Sequence, residues 1–283
     1  MEHWIERVTG GLEGNQLTDR VFAGKLVVFE GLKGAGEVVR LARETVKSTF
    51  APHDPLTVHE KLAAGDYKSR IGEMRRRFTE HDEARLAIEQ LLVEAGCAPS
   101  TTFRDRLILR TVPPQRELHD DPRLVLPPHR DTWGSGLLCQ INWWMTIHDL
   151  TQGRTMVVFP NHFSRAIEND SHRWDWRRVG KDPDYPRLPT ADVTPDARDA
   201  LYLVVPPGAL VAFSGAHLHA SVANKTGRPR FSIDTRTVDL DHLRQGIGAP
   251  DLDHGDVAPA CAWFRRFGDG ASLQDVAKNH DTT

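Results

Sequence analysis

Three His-x-Asp triplets are the first candidates for chemistry in this chain, because histidine and aspartate side chains bind metal ions. They begin at His119, His129 and His254. In an extended strand, residues i and i+2 project to the same face, so one triplet can offer an imidazole and a carboxylate to a single ion. His129 and Asp131 lie between a Pro-Pro turn and a long strand-like run, at the edge of a predicted sheet. The triplet at 119 lies in a polar turn and that at 254 near the C-terminus, so we favour the middle one.

Two later histidines could complete this site. His217 and His219 lie at the entrance of a predicted strand, in the segment PPGALVAFSGAHLHAS. Two imidazoles and one carboxylate on one face of an octahedral ion form the facial triad of non-haem Fe(II) oxygenases, which leaves three positions open for a cosubstrate and dioxygen. Residues two apart share a face of a strand, so alternation leaves both histidines possible. The same ligand set also suits a catalytic zinc ion.

An arginine on the next predicted strand points to a carboxylate ligand. Arg230 lies eleven residues beyond His219, and its guanidinium can pair bidentately with a carboxylate held inside a barrel. Arg236 shares its face, but six residues of strand separate the two by about 20 Å, so they cannot serve the same carboxylate. Hydrolysis needs no such anchor, so Arg230 weighs against a zinc hydrolase.

These motifs together resemble a known family. The order HRD at 129–131, HAS at 219–221 and then Arg230 resembles the Fe(II)/2-oxoglutarate-dependent oxygenases, and most closely the phytanoyl-CoA dioxygenase-like branch. The phrase LHASVANKTGRPR is similar to the His-x-Ser, Asn, then Arg pattern of that branch. The resemblance covers roughly residues 100–240.

The resemblance implies a role for each matched residue. His129, Asp131 and His219 would bind Fe(II), and Arg230 with Ser221 would hold the distal carboxylate of 2-oxoglutarate. The reaction would be hydroxylation of a small molecule by dioxygen, or a desaturation or cyclisation variant. Halogenation is not expected, because related halogenases carry a small residue where this chain has Asp131. Specialised-metabolite biosynthesis is the setting that analogy with the fold suggests.

The elements that must position these residues change character near residue 100. Before it, stretches such as EARLAIEQLLVEAG place apolar residues at helical spacing, and Gly96 ends that helix. After it come short runs rich in β-branched and aromatic residues, separated by Pro and Gly: RLILRTV, LLCQINWWMTI, TMVVFP, ALYLVV, ALVAFSG and FSIDTRTV. This pattern predicts a mainly β fold with flanking helices, and the resemblance implies a double-stranded β-helix, or jelly roll.

We predict one domain over residues 1–283. It comprises a helical scaffold at 1–100, the jelly-roll core at 100–240 with an insertion at 161–198, and a C-terminal segment at 241–283. The insertion mixes aromatic residues with Arg and His, which suits a cover over the mouth of the barrel and a polar small-molecule substrate.

Alternation and position name further candidates around the pocket. Gln140, Asn142 and Trp144 share one face of a predicted strand, which we assign to the barrel interior near the cosubstrate. Trp133 either walls the substrate pocket or simply packs. His162, in the insertion, is a candidate for substrate contact.

Composition excludes several other functions. The net charge of -3 provides no electrostatic reason to bind nucleic acid or an acidic membrane, and no apolar run approaches the roughly 18 residues of a membrane helix. The charged first residues do not resemble a signal peptide, and three widely spaced cysteines predict a reducing, cytoplasmic setting. A non-catalytic jelly roll that binds a ligand is the remaining alternative.

Overall fold

The computed structural model describes residues 2–182 and 184–278, which form two β-sheets with helices packed around them. The strands are β1 (Ile5–Thr9), β2 (Leu26–Glu30), β3 (Thr102–Arg104), β4 (Ile108–Val112), β5 (Ile141–Thr146), β6 (Met156–Val158), β7 (Leu201–Tyr202), β8 (Leu210–Ser214), β9 (His219–Ser221), β10 (Arg230–Asp239) and β11 (Arg265–Arg266). The helices are α1 (Gln16–Phe22), α2 (Ala35–Phe50), α3 (Ala64–Thr79), α4 (Asp82–Ala95), α5 (Asp131–Ser135), α6 (Leu240–Gln245) and α7 (Leu273–Lys278).

The large sheet has the strand order β1-β2-β8-β5-β10-β3-β11, and β4 also pairs with β10. Strand β10 is ten residues long, so β4 and β3 pair with its two halves on one side while β5 pairs with it on the other. The small sheet has the order β7-β6-β9. The β1–β2 ladder is parallel and the other ladders between the named strands are antiparallel.

The two sheets enclose an apolar interior. Trp144 and Phe213 of the large sheet pack in one buried cluster with Met156 and Val158 of the small sheet. The opposite face of the large sheet packs against α2, α3 and α4. Because successive side chains of a strand alternate between its faces, β5 contributes side chains to the interior between the two sheets and also to the core beneath the helices. The predicted fold class, a jelly-roll core with flanking helices, is confirmed.

The first hundred residues differ from the purely helical scaffold that the sequence predicts. Strands β1 and β2 lie within them, and β2 joins the large sheet beside β8. Four of the five β2 residues are buried, so this strand lacks the alternation that marks a half-exposed strand in sequence. The predicted helices are present, and Gly96 ends α4 at φ 122°. No helix in the described ranges is long and apolar enough to cross a bilayer.

A buried arginine ties the insertion at 161–198 to the rest of the fold. The Arg130 guanidinium donates hydrogen bonds to the carbonyl oxygens of His162 and Arg165, at 2.8 and 2.7 Å. Its Nε lies 3.3 Å from a carboxylate oxygen of Asp253, in the C-terminal segment. Arg130 stands between His129 and Asp131 in sequence, so the same short stretch of chain carries candidate metal ligands and holds the insertion in place.

Candidate metal centre

The structure brings His129, Asp131 and His219 together. One ligand atom from each lies within 4.8 Å of the other two. His129 Nε2 is 3.9 Å from Asp131 Oδ1, and His219 Nε2 is 3.8 Å from Asp131 Oδ2. Within residues 2–182 and 184–278 this is the only such group of three metal-ligating side chains. Two nitrogens and one carboxylate therefore converge on one point, as a three-ligand metal site requires.

Backbone pairing explains why residues 90 positions apart meet. His129 and His219 form an antiparallel bridge, and each donates its backbone N–H to the carbonyl of the other at 3.0 Å. Side chains of directly opposed residues in an antiparallel pair project to the same face. The chain then turns into α5, whose first residue, Asp131, adds its carboxylate from the same side.

Both candidate ligand histidines are oriented by their second ring nitrogen. His129 Nδ1 lies 2.7 Å from the carbonyl oxygen of Pro127, and His219 Nδ1 lies 3.0 Å from that of His217. A ring that donates from Nδ1 to a carbonyl keeps its lone pair on Nε2, the atom that faces the carboxylate. Burial lowers the pKa of His129 to about 3 and also lowers the pKa of His219. Both rings are therefore neutral near pH 7, the form that binds metal.

Two amide side chains hold Asp131. Asn142 Nδ2 donates to Asp131 Oδ2 at 2.6 Å, and Gln140 Nε2 donates to Asn142 Oδ1 at 2.8 Å. Burial raises the pKa of the Asp131 carboxyl, but Arg236, the two imidazoles in their protonated form and the Asn142 hydrogen bond lower it more, and the resulting pKa is about 2. The carboxylate is thus ionised and fixed in orientation. Gln140 and Asn142 were predicted to lie near the cosubstrate. In the structure, Asn142 contacts the candidate metal ligand Asp131 and Gln140 contacts Asn142.

His217 has a different environment from His219. It has no exposed surface, and its ring nitrogens lie 3.1 and 3.3 Å from the carbonyl oxygens of Gly24 and Ser214. Phe163 stacks on the ring at a centroid distance of 4.4 Å. The ring is therefore part of the packing between β8, the insertion and the residues after α1. Of the two histidines that the sequence leaves open, His219 is the one that lies in the cluster.

Arg230 is a buried cation that has no acidic partner in the part of the chain that the structure describes. Only 2% of its surface is exposed. Its Nη1 donates to the Thr155 carbonyl oxygen at 2.6 Å, and its Nε has no hydrogen-bond partner. Burial lowers its pKa to about 9. Among the described residues no ion pair joins Arg230 to a carboxylate, whereas the adjacent Arg110 is paired with Asp234 at 2.6 Å.

Two further polar atoms on the same sheet face lack partners. Ser232 Oγ and Trp144 Nε1 are buried and have no hydrogen bond in the structure. Ser232 lies two residues from Arg230 on β10, and Trp144 lies opposite Asp234 on β5, so all project from neighbouring positions of one face. Unpaired buried polar atoms are costly and rare, so this group of them is a candidate for contacts with a polar ligand.

The remaining predicted residues have more varied positions. Ser221 lies on β9 two residues after His219, on the same face, and is partly buried. Trp133 has no exposed surface, donates from Nε1 to Asp253 at 2.8 Å and packs in a separate apolar cluster, which fits the packing alternative. His162 is partly exposed, and its Nε2 lies 3.7 Å from Asp199 Oδ2.

Arg236 lies beside the candidate metal site, where the sequence patterns did not predict it. Its Nη1 lies 3.7 Å from Asp131 Oδ1 and 3.8 Å from Asp105 Oδ2. The signal was present, because Arg236 shares a strand face with Arg230. Its significance depends on the register that places Arg236 opposite Asn142, and this register is a property of the folded sheet.

Comparisons with known proteins give structural likeness alone. No protein-family model matches the chain, and no curated protein matches it. The chain is similar to the structure of EctD from S. alaskensis with 2-oxoglutarate and 5-hydroxyectoine, at 16% identity and a TM-score of 0.47, over 83% of this chain and 84% of that one. It is also similar to the non-haem alpha ketoglutarate dependent carbocyclase SnoK from nogalamycin biosynthesis, at 16% identity and a TM-score of 0.47, over 84% and 93%.

A third similar structure is EvdO2 from Micromonospora carbonacea var. aurantiaca complexed with 2-oxoglutarate. Identity is 14% and the TM-score is 0.46, over 81% of this chain and 92% of that one. Because each TM-score is below 0.5, the chemistry of this chain is inferred from its own side chains.

Proposed function

We propose that this protein is an Fe(II)- and 2-oxoglutarate-dependent oxygenase that hydroxylates, desaturates or cyclises a polar small molecule with dioxygen. The observation that carries the proposal is the convergence of His129, Asp131 and His219 in an interior that also holds Arg230, a buried cation that lacks an acidic partner among the described residues. A metal site and an anion site in one barrel match a cosubstrate that chelates iron at one end and carries a carboxylate at the other.

The donor set fits ferrous iron. Two neutral imidazole nitrogens and one carboxylate oxygen are the ligands of the facial triad, and this set leaves room for a bidentate cosubstrate and dioxygen. When bound, iron and 2-oxoglutarate together supply an oxidant able to break a C–H bond. The protein's own residues orient the ligands: Asn142 fixes Asp131, and backbone carbonyls fix both imidazole rings.

Arg230 fits the distal carboxylate of 2-oxoglutarate. Its unpaired Nε–H can donate to an anion, and the free donors of Ser232 and Trp144 lie on the same face. Ser221 shares a strand face with His219 and is the further candidate from the motif. A dicarboxylate at this position would neutralise Arg230 and satisfy donors that otherwise lack partners. A zinc hydrolase would leave this cation unexplained.

Aromatic and apolar side chains surround part of the candidate metal site. Phe213 lies edge-on to the His219 ring at a centroid distance of 5.3 Å, and Trp144 packs in the same interior. An apolar lining that excludes water would strengthen the electrostatic interactions of the site and limit side reactions of the oxidant. Because Asp131 occupies the third ligand position, we infer oxidation without halogen transfer.

We further infer one domain, since β1 and β2 join the sheet that carries the site. The free thiols Cys97, Cys139 and Cys261 fit a reducing cytoplasm.

Anaerobic titration tests the proposal. Fe(II) is added to the metal-free protein, then 2-oxoglutarate, and the weak visible charge-transfer band of the chelate is recorded. We expect the band with Fe(II) and its absence with Zn(II), which cannot produce it. A correctly folded protein that binds Fe(II) without forming the band would contradict an oxygenase. Zinc-dependent turnover in the absence of oxygen would indicate a hydrolase, and ligand binding without oxygen-dependent loss of 2-oxoglutarate would indicate a non-catalytic jelly roll.

A further inference from the structure

Arg236 carries free hydrogen-bond donors beside the metal site. Its nearest acidic oxygens, on Asp131 and Asp105, lie at 3.7 and 3.8 Å, which is beyond hydrogen-bond range. Within the described residues its side chain makes no hydrogen bond, and 22% of it is exposed. An arginine has five N–H donors and no acceptor. The guanidinium therefore has donors free to bind an anion, and part of it is accessible to solvent.

A tryptophan pair lies against this guanidinium. The Arg236 Cζ is 5.8 Å from the ring centroid of Trp263, within cation–π range. Trp263 in turn meets Trp176 edge-on at a centroid distance of 6.0 Å. Both rings are partly exposed. Trp176 comes from the insertion at 161–198 and Trp263 from the C-terminal segment, so two separate segments place aromatic surface beside one cation.

The charges nearby change when a metal binds. Arg236 faces two carboxylates, Asp105 and Asp131, and a divalent cation bound to Asp131 takes up the charge of that carboxylate. The positive charge of Arg236 is then less compensated and attracts an additional anion. Arg230 is a separate site, because it starts from a position six residues away on β10, is deeply buried and donates to the Thr155 carbonyl oxygen.

We propose that Arg236 and Trp263 recognise the primary substrate, and that this substrate carries a carboxylate next to a flat ring. The carboxylate pairs with Arg236, the ring packs on Trp263, and the attached carbon is held close to the metal ligand Asp131. The inference rests on the proposed function, since it assigns a substrate class to that oxygenase. It assigns two anion sites to one barrel, an inner one for the cosubstrate and an outer one for the substrate.

A matched pair of probes tests it. Indole-3-acetate and its neutral analogue indole-3-acetamide are titrated calorimetrically, without oxygen, into protein loaded with Fe(II) and 2-oxoglutarate, and into the metal-free protein. The expected result is that the loaded protein binds the carboxylate about 10- to 100-fold more tightly than the amide. Equal affinities, including no measurable binding of either probe, would overturn the proposal.

Variants separate recognition from folding. Arg236→Gln should remove the preference for the carboxylate, Arg236→Lys should retain part of it, and Trp263→Leu should weaken both probes together. Arg244→Gln, at an arginine of α6 that is 3.9 Å from Asp241, is the matched control and should retain the full preference. Circular dichroism melting checks that each variant is folded. If Arg236→Gln does not fold, Arg236→Lys alone must reduce the ratio of the affinities for the carboxylate and the amide. A preference that survives in every folded Arg236 variant would overturn the assignment.

The chelate band distinguishes this inference from the proposed function. If wild-type protein forms the band but binds both probes equally, the substrate inference is wrong and the oxygenase proposal stands. If no band forms but Arg236→Gln abolishes a preference for the carboxylate in metal-free protein, the oxygenase proposal is wrong and the anion site stands.

Discussion

Strands β5 and β10 have two faces of opposite character. On the face toward the helices, Trp143 and Phe231 are buried in the main apolar cluster, and the Trp143 Nε1–H donates to Thr237 Oγ1 at 2.8 Å. On the face toward the small sheet, Trp144 is equally buried, but its Nε1 has no partner. Arg230 and Arg236 project from this second face.

The two faces differ in whether their buried polar atoms are paired within the protein. An unpaired buried donor destabilises the native state, and the Trp143 indole on the helix side avoids this cost by donating to Thr237. On the other face, Arg230, Ser232 and Trp144 keep polar atoms without a partner among the described residues. Proteins tolerate such local departures at functional sites. We therefore expect substitutions on the face of β5 and β10 that points toward the small sheet to affect ligand binding more than folding.

The largest effect is expected at the proposed metal ligand Asp131. Asp131→Asn removes the charge that holds the cation and should weaken Fe(II) binding by more than about 100-fold. Asp256→Asn, in the matched triplet at 254–256, should bind Fe(II) like wild type. Metal content after equilibrium dialysis measures both variants. Unchanged iron content in Asp131→Asn would contradict the site.

A smaller effect, with opposite signs for binding and stability, is expected at Arg230. Arg230→Leu should weaken 2-oxoglutarate binding by about 10- to 100-fold, because the charged anchor is lost. It should also raise the free energy of unfolding of the metal-free protein by about 1–2 kcal/mol, because a buried cation without an acidic partner is removed.

The charge-transfer band measures binding of the cosubstrate, and urea denaturation measures stability. Arg228→Leu, at an exposed arginine just before β10, is the control and should leave both unchanged. If Arg230→Leu binds 2-oxoglutarate normally and Arg236→Leu does not, the anchor has been assigned to the wrong arginine.

The smallest effect compares neighbouring tryptophans on the two faces. Trp143→Phe loses the hydrogen bond to Thr237 and leaves a small cavity, so it should lower the free energy of unfolding by about 1–3 kcal/mol. Trp144→Phe removes an indole N–H that has no partner, so its cost should be smaller. Urea denaturation of both variants decides the order, and a greater loss from Trp144→Phe would reverse our interpretation of the two faces.

Local patterns predict much of this molecule. Apolar residues at helical spacing predict α2 to α4, and the short β-branched runs predict the strands of the core. Strands β1 and β2 were missed because their pairing is with each other and with β8, and a five-residue buried run carries little periodic signal. The predicted roles of Trp133 and His162 in substrate binding depend on which surface remains open, and that depends on how the insertion packs.

The sequence by itself determined which side chains were available and which of them share a strand face. It predicted His129, Asp131 and Arg230 as site residues through spacing and through resemblance to a family motif. Only the tertiary structure decided between His217 and His219, and only the register of β10 against β5 placed Arg236 beside Asp131. The physical reason is that alternation along a strand is a local property. Closure of two sheets around a common interior depends instead on pairing between residues far apart in the chain.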